Sequence, residues 1–198
     1  EEPLLSWVAT DASQDPFERM ATLADSLVRV WKVTPERARV ALLDLFVPSP
    51  RKLMEGGWGE SLKAAREAAA RRAKQGLISE GELLKLLLIV SFNSHAHSGT
   101  FSALYERGSR CAHACASNAL FVTGREHAQR DSDADNGRGE LIGTLQCIKP
   151  IAPGEPITID YLQHTFLPTP LRRSELRSRY LFDCDCARCS STPDLCRV

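Results

Sequence analysis

Up to residue 90 the apolar residues recur at helical spacing; beyond it they shift to a two-residue alternation. Phe17, Met20, Ala21, Ala24, Leu27, Val28 and Trp31 form the stripe of an amphipathic helix. Asp15 followed by Pro16 reads as an N-cap with a proline in the first turn. Thr34 and Pro35 repeat that start signal ahead of Val40, Ala41, Leu43 and Leu45, and Pro48 and Pro50 stop the second helix. Gly56, Gly57 and Gly59 around Trp58 mark a break. An Ala-, Arg- and Lys-rich third helix is predicted over 60–75, with Gly76 as its stop. Ser79 with Glu82 makes a capping-box pattern before the apolar run 83–90. Residues 1–15 read as irregular, and there is no internal repeat.

The second half predicts strands. Residues 118–123 form one, and 140–149 form another in which Leu141, Leu145 and Cys147 alternate. Ala152-Pro153-Gly154 is a turn, and Ile157, Ile159 and Tyr161 alternate in a third strand. The polar stretch 124–139 between the first two strands reads as a long mobile hairpin loop. A last short helix over 172–180 leads into a cysteine cluster. The predicted class is α+β, a helical array over 1–90 followed by short β-strands.

Composition narrows the options. With 198 residues and 43% hydrophobic content the chain can bury a real core. Lys plus Arg equal Asp plus Glu at 25 each, which argues against a dedicated nucleic-acid or acidic-membrane surface. The Arg71-Arg72 to Lys74 run reads as a solvated helix face. No apolar run is long enough to cross a bilayer, since 83–90 is short and interrupted by Lys85. No secretory-signal pattern is visible.

The 7 cysteines are odd in number and none precedes Cys111. A disulfide scaffold would spread them through a shorter chain. Here Cys184, Cys186 and Cys189 place three thiols within six residues, which suits metal thiolates in a reducing, intracellular compartment. Zinc takes four tetrahedral ligands and favours thiolate. The fourth would come from Cys115, Cys111, Cys196 or Cys147, and a remote one would staple the tail to an earlier segment.

Three stretches in series then carry a resemblance. Ser109-Arg110-Cys111-Ala112-His113-Ala114-Cys115-Ala116-Ser117-Asn118-Ala119 resembles S-R-x-N-H-S-C-x-P-N-A. Ile151-Ala152-Pro153-Gly154-Glu155-Pro156-Ile157-Thr158-Ile159-Asp160-Tyr161 resembles I-x-x-G-E-E-I-T-I-x-Y. Arg172-Arg173, Leu176, Tyr180, Phe182, Cys184, Cys186 and Cys189 resemble R-R-x-x-L…Y-x-F-x-C-x-C-x-x-C. In order and spacing these are similar to the SET-domain protein-lysine methyltransferases, particularly the SET-and-MYND-like and post-SET branches.

The resemblance implies a SET core over 91–182 with a knot-like crossing of the first and third stretches, and a post-SET zinc tail over 183–198. Residues 1–90 would be a helical insert or extension. S-adenosylmethionine would bind on one side of the core, and a substrate protein's lysine would enter a narrow channel from the other. Cys115 would be the fourth zinc ligand beside Cys184, Cys186 and Cys189. Tyr161 would stand at the transferring methyl group and Tyr180 would line the lysine channel. Phe182 would pack on the adenine, His113 would meet the cofactor through its backbone, and Asn93 would contact it as well. The zinc would be structural, because methyl transfer is an in-line displacement that needs alignment and dryness rather than a metal.

Two departures point to a second reading. Ala112 replaces the asparagine that would hydrogen-bond the cofactor, and Ala114 and Ser117 replace the usual serine and proline. The family's N-terminal strands with a Gly-x-Gly turn have no counterpart, since Gly57-Trp58-Gly59 lies between helical segments. The second reading is a non-catalytic, SET-derived docking subunit of a larger assembly, for instance an organellar one. Asp131-Ser132-Asp133-Ala134-Asp135-Asn136-Gly137 resembles an EF-hand start, but its glycine is one place late and Ile142 stands where a glutamate is needed. It reads as a solvated loop. His95 and His97 read as part of a turn near the cofactor pocket.

Overall fold

A computed structural model describes residues 2–8, 15–97, 101–125, 141–162 and 166–191. It is a mixed helix and strand architecture with small sheets, as the α+β expectation requires. The chain divides into two compact units. The first comprises Glu1–Val47, Ser61–Arg110 and Val122–Thr144; the second comprises Pro48–Glu60, Cys111–Phe121 and Leu145–Val198.

The first unit holds α1 (Pro16–Trp31), α2 (Glu36–Leu43), most of α4 (Gly59–Ala73) and α5 (Glu80–Asn93). Asp15 caps α1 by accepting from Phe17 N at 2.9 Å, and Pro16 occupies the first turn. The stripe Met20, Ala24, Leu27, Val28 and Trp31 is buried. It meets Leu83, Leu86, Leu87, Ile89 and Val90 of α5 in one core. α5 is apolar on nearly every side, as befits a central helix. Ala64, Ala65, Ala68 and Ala69 give α4 a flat inner face, and Arg72 pairs with Asp25 of α1.

Two boundaries differ from the sequence expectation for clear reasons. Thr34 does not cap α2; its hydroxyl donates to Val30 O at 2.8 Å and so closes α1 instead. Residues 1–15 are not wholly irregular, because Leu5–Val8 forms β1, with Leu5 and Trp7 turned inward. β1 pairs antiparallel with β3 (Phe101–Leu104), which also pairs with β2 (His95–His97), giving the order β1-β3-β2. Four residues are too few for their alternation to stand out in sequence, and the pairing partner lies far along the chain. His95 packs edge-on against Tyr105, with ring centroids 5.8 Å apart.

The second unit holds α3 (Pro50–Glu55), β4 (Ala112–His113), β7 (Thr158–Ile159), α6 (Thr169–Tyr180) and α7 (Ala187–Ser190). The expected third strand shrinks to β7, which pairs in parallel with β4: Ala112 faces Thr158 and His113 faces Ile159. Asn118 fastens this crossing. Its carboxamide accepts from Thr158 N at 2.8 Å and donates to Pro156 O at 3.0 Å. β5 (Ala119–Arg125) and β6 (Leu141–Cys147) form a two-stranded sheet of their own, of which residues 119–121 and 145–147 belong to the second unit. The polar stretch and the EF-hand-like run lie outside the described residues from 126 to 140.

The capping box at α5 is complete, with Glu82 N donating to Ser79 Oγ at 3.2 Å and Ser79 N donating to Glu82 Oε2 at 3.1 Å. Ser79→Ala should cost about 1 kcal/mol of unfolding free energy, and Ser79→Ala with Glu82→Ala together should cost less than the sum; urea titration checks both. Burial pulls the His95 imidazole down to about 4. The folded state therefore keeps it neutral while the unfolded chain takes up a proton near pH 6.5, so this contribution falls as pH drops from 6.5 to 4. The stability difference between wild type and His95→Phe should shrink across that window by at most about 3 kcal/mol, read from urea titrations at several pH values.

Candidate metal centre and aromatic cluster

Four thiols converge in the second unit. Cys115 follows β4; Cys184 and Cys186 follow α6; Cys189 sits in α7. Their ligand atoms all lie within 4.8 Å of one another, with Cys115 Sγ 3.9 Å from Cys184 Sγ and 3.5 Å from Cys189 Sγ. Four sulfurs around zinc at about 2.3 Å stand about 3.8 Å apart, so the donor set and its size fit that ion. Of the four candidates for the remote ligand, Cys115 is the one in the group. Cys147 is exposed, and Cys111 is buried elsewhere, beside Ala119 and Ile159. Cys196 lies outside the described residues.

Local folding explains the convergence. The Cys186 carbonyl accepts from Cys189 N at 2.8 Å and Ser190 N at 3.0 Å, so the tail turns tightly around its own ligands. Arg173 of α6 donates to Cys184 O at 3.2 Å and Cys189 O at 3.1 Å. Arg172 is fully buried; it reaches Leu167 O, Thr169 Oγ1 at 3.0 Å and Cys189 Sγ at 3.5 Å. A guanidinium there offsets the negative charge that four thiolates leave on a dication. The motif gives Arg172 and Arg173 no role of their own; an adjacent arginine pair before a thiol cluster is the signal for one. Burial raises the Cys115 thiol strongly and the Cys184 thiol to about 11. Burial also works to raise Cys186, but backbone hydrogen bonds at Cys115 and Cys189 and neighbouring thiols bring it down to about 7.

An aromatic cluster adjoins the thiols. Tyr161, Tyr180 and Phe182 pack against the buried group of Cys115, Leu162, Leu176, Cys184 and Cys189. The Tyr161 and Tyr180 rings are 5.0 Å apart, Tyr161 and Phe182 meet edge-on at 6.4 Å, and His113 lies 5.3 Å from Tyr161 and 5.8 Å from Phe182. Tyr161 donates its hydroxyl to Cys111 O at 2.5 Å. Burial pushes its ionisation up to about 12, so the phenol is neutral at ordinary pH. Tyr180 is also raised, chiefly by burial.

Asn93 belongs to the first unit, at the end of α5, where Nδ2 donates to Phe46 O and Ile89 O, both at 2.8 Å. Ala112 is exposed and offers the site only its backbone. The Gly-Trp-Gly letters have a packing use within the second unit. Gly57 takes φ 81 after α3, and Trp58 Nε1 donates to Ser178 O at 3.0 Å. A Cβ on Gly56 would overlap the side chain of Leu181. Leu181 ends α6 at φ 62, a left-handed conformation unusual for leucine, and leads directly to Phe182.

Over 61 residues the chain is 41% identical to the protein named Protein SET DOMAIN GROUP 41 of Arabidopsis thaliana. The stretch covers 31% of this chain and 11% of that protein, so the chain spans about a tenth of its relative's length. No family model matches the chain. The match supports a partial relationship to SET-domain proteins.

The centre makes a direct prediction. The protein should carry about one zinc per chain, measured by elemental analysis after dialysis. Cys115→Ser or Cys184→Ser should lower the content well below that, while Cys147→Ser should leave it unchanged. Protons compete with metal for thiolate, so zinc should be released on acidification rather than at alkaline pH.

Proposed function

We propose that this chain carries the cofactor- and zinc-binding end of a SET-type, S-adenosylmethionine-dependent protein-lysine N-methyltransferase, with a SET core over 91–182 and a post-SET zinc tail over 183–198. The observation that carries the reading is the packing of Tyr161, Tyr180 and Phe182 against four clustered thiols. These residues come from three separate motifs, and one compact cluster contains them all. The partial relationship to a SET domain group protein supports the same reading.

S-adenosylmethionine, when bound, supplies an electrophilic methyl group on a positively charged sulfur. The chain's own groups suit that chemistry. A phenol has one donor and two acceptor lone pairs. Tyr161 commits its proton to Cys111 O, which fixes the oxygen and leaves acceptor capacity for a polarised methyl or an amine. Tyr180 donates to Tyr161 O at 3.4 Å, which ties the two aromatic walls together. Such walls exclude water, tolerate cations and favour the neutral form of a lysine amine. Four thiols complete a tetrahedron, so a zinc ion held there has no open position and serves structure.

Ala112 shapes the expected affinity. The absent side-chain hydrogen bond would cost about 1.5–3 kcal/mol if its counterpart contacted a charged cofactor group. The full-length polypeptide should then bind S-adenosylmethionine ten- to hundredfold more weakly than an Ala112→Asn variant. Phe182→Ala should weaken binding further, and Tyr161→Phe should abolish methyl transfer to lysine peptides while leaving binding nearly intact. Calorimetric titration and a radiolabelled methyl assay measure these. No binding to wild type at millimolar cofactor would overturn the enzyme reading and leave the docking-subunit reading, which exposed Ala112 favours.

A further inference from the structure

His113 lies between the thiol group and the aromatic cluster, and its side chain is 1% exposed. Its placement follows from the β4–β7 register, which sets His113 opposite Ile159 and brings Tyr161 within reach two residues later. Nδ1 stands 3.1 Å from the backbone N of Tyr161. An amide N–H can only donate, so Nδ1 carries the lone pair and the neutral ring's proton sits on Nε2. The opposite tautomer would aim one N–H at another and leave a buried donor unsatisfied. Asp160 Oδ1, 3.5 Å from Nδ1, already accepts from Leu162 N at 2.9 Å. The Nε2 proton points to Cys115, whose Sγ is 3.3 Å away.

We infer that His113 is a positioning residue that couples the metal centre to Tyr161: its Nε2–H donates to the Cys115 sulfur while its Nδ1 holds the Tyr161 amide. A change in metal–sulfur bonding at Cys115 is thereby felt at the backbone of Tyr161. The inference rests on the zinc reading, and it assigns the metal a second consequence besides holding the tail. A residue that merely filled space would be replaceable by phenylalanine.

Two spectroscopic readouts test this on the full chain, neither needing activity. Cobalt substituted for zinc reports sulfur bonding through its sulfur-to-metal charge-transfer band. With ¹⁵N-tyrosine labelling the three tyrosines report their own amides. In wild type, exchanging zinc for cadmium should shift the Tyr161 amide resonance. In both His113→Asn and His113→Phe the cobalt band should shift, because Cys115 loses its N–H donor, and the Tyr161 response to metal exchange should vanish. His113→Asn keeps an acceptor near the Tyr161 amide, so hydrogen exchange there should stay slow, whereas His113→Phe should speed it about tenfold or more. A wild-type cobalt band in His113→Phe, or a persistent metal response at Tyr161 in both variants, overturns the coupling while leaving the metal centre standing. A wild type that binds no cobalt through thiolates overturns the zinc reading and the coupling with it.

Discussion

The second unit depends on one long closure. Cys115 meets Cys184 across 69 positions and Cys189 across 74. Closing a loop of that size costs about 4 kcal/mol of chain entropy. The elements that hold it are small: a two-residue parallel ladder, a four-residue helix and a core of a few residues. Structural zinc bound by four thiolates contributes about 10–16 kcal/mol at neutral pH. That is several times the closure cost, and it acts on the segments that must meet. A unit so sparing of apolar packing is one whose geometry a metal can set.

Polar groups then give the closure its register. Asn118 works like a short stretch of strand, pairing with Thr158 N and Pro156 O where the backbone ladder has ended. Arg173 holds the two carbonyls that flank the tail's ligands, and Arg172 places its charge inside, against sulfur. Burying a guanidinium fully is costly unless hydrogen bonds and an opposite charge repay it. Thiolates on a dication carry net negative charge, so Arg172 and a metal held by the four thiols would each make the other less costly to bury.

The helical half was legible because its signals are local. Asp15-Pro16, Ser79 with Glu82, and the stripe from Met20 to Trp31 each act within a few residues. Alternation marked β5, β6 and the place of β7, but β1 was not legible because its partner β3 is remote, and pairing with β4 confines β7 to two residues. Thr34 shows the limit of a cap signal, since one hydroxyl could close the helix behind it or open the one ahead. At the candidate site the thiol spacing and the three motifs identified Cys115, Tyr161, Tyr180 and Phe182, which the fold gathers. What no motif carried was the tautomer of His113 and the burial of Arg172, because both depend on which atoms face each other. The Gly-Trp-Gly letters, set aside because they lie between helical segments, have a local packing use instead. Gly57 answers to a positive φ, and the neighbouring Gly56 to close contact with Leu181.

The two functional readings differ at one residue pair more than anywhere else. Ala112 and His113 share β4, so the backbone that would face a cofactor is positioned by the same ladder whichever side chain stands at 112. The ladder is made by backbone, so an alanine at 112 rather than the asparagine of the resembled motif leaves the strand in place. Tyr161 is held from three directions, by Cys111 O at its hydroxyl, by His113 at its amide, and by Tyr180 at its carbonyl. A half-buried phenol constrained in this way is more than packing requires, since phenylalanine would fill the same space without a polar group to satisfy. The hydroxyl of Tyr161 is therefore the feature of this cluster that the proposed enzyme reading puts to use and the docking-subunit reading does not.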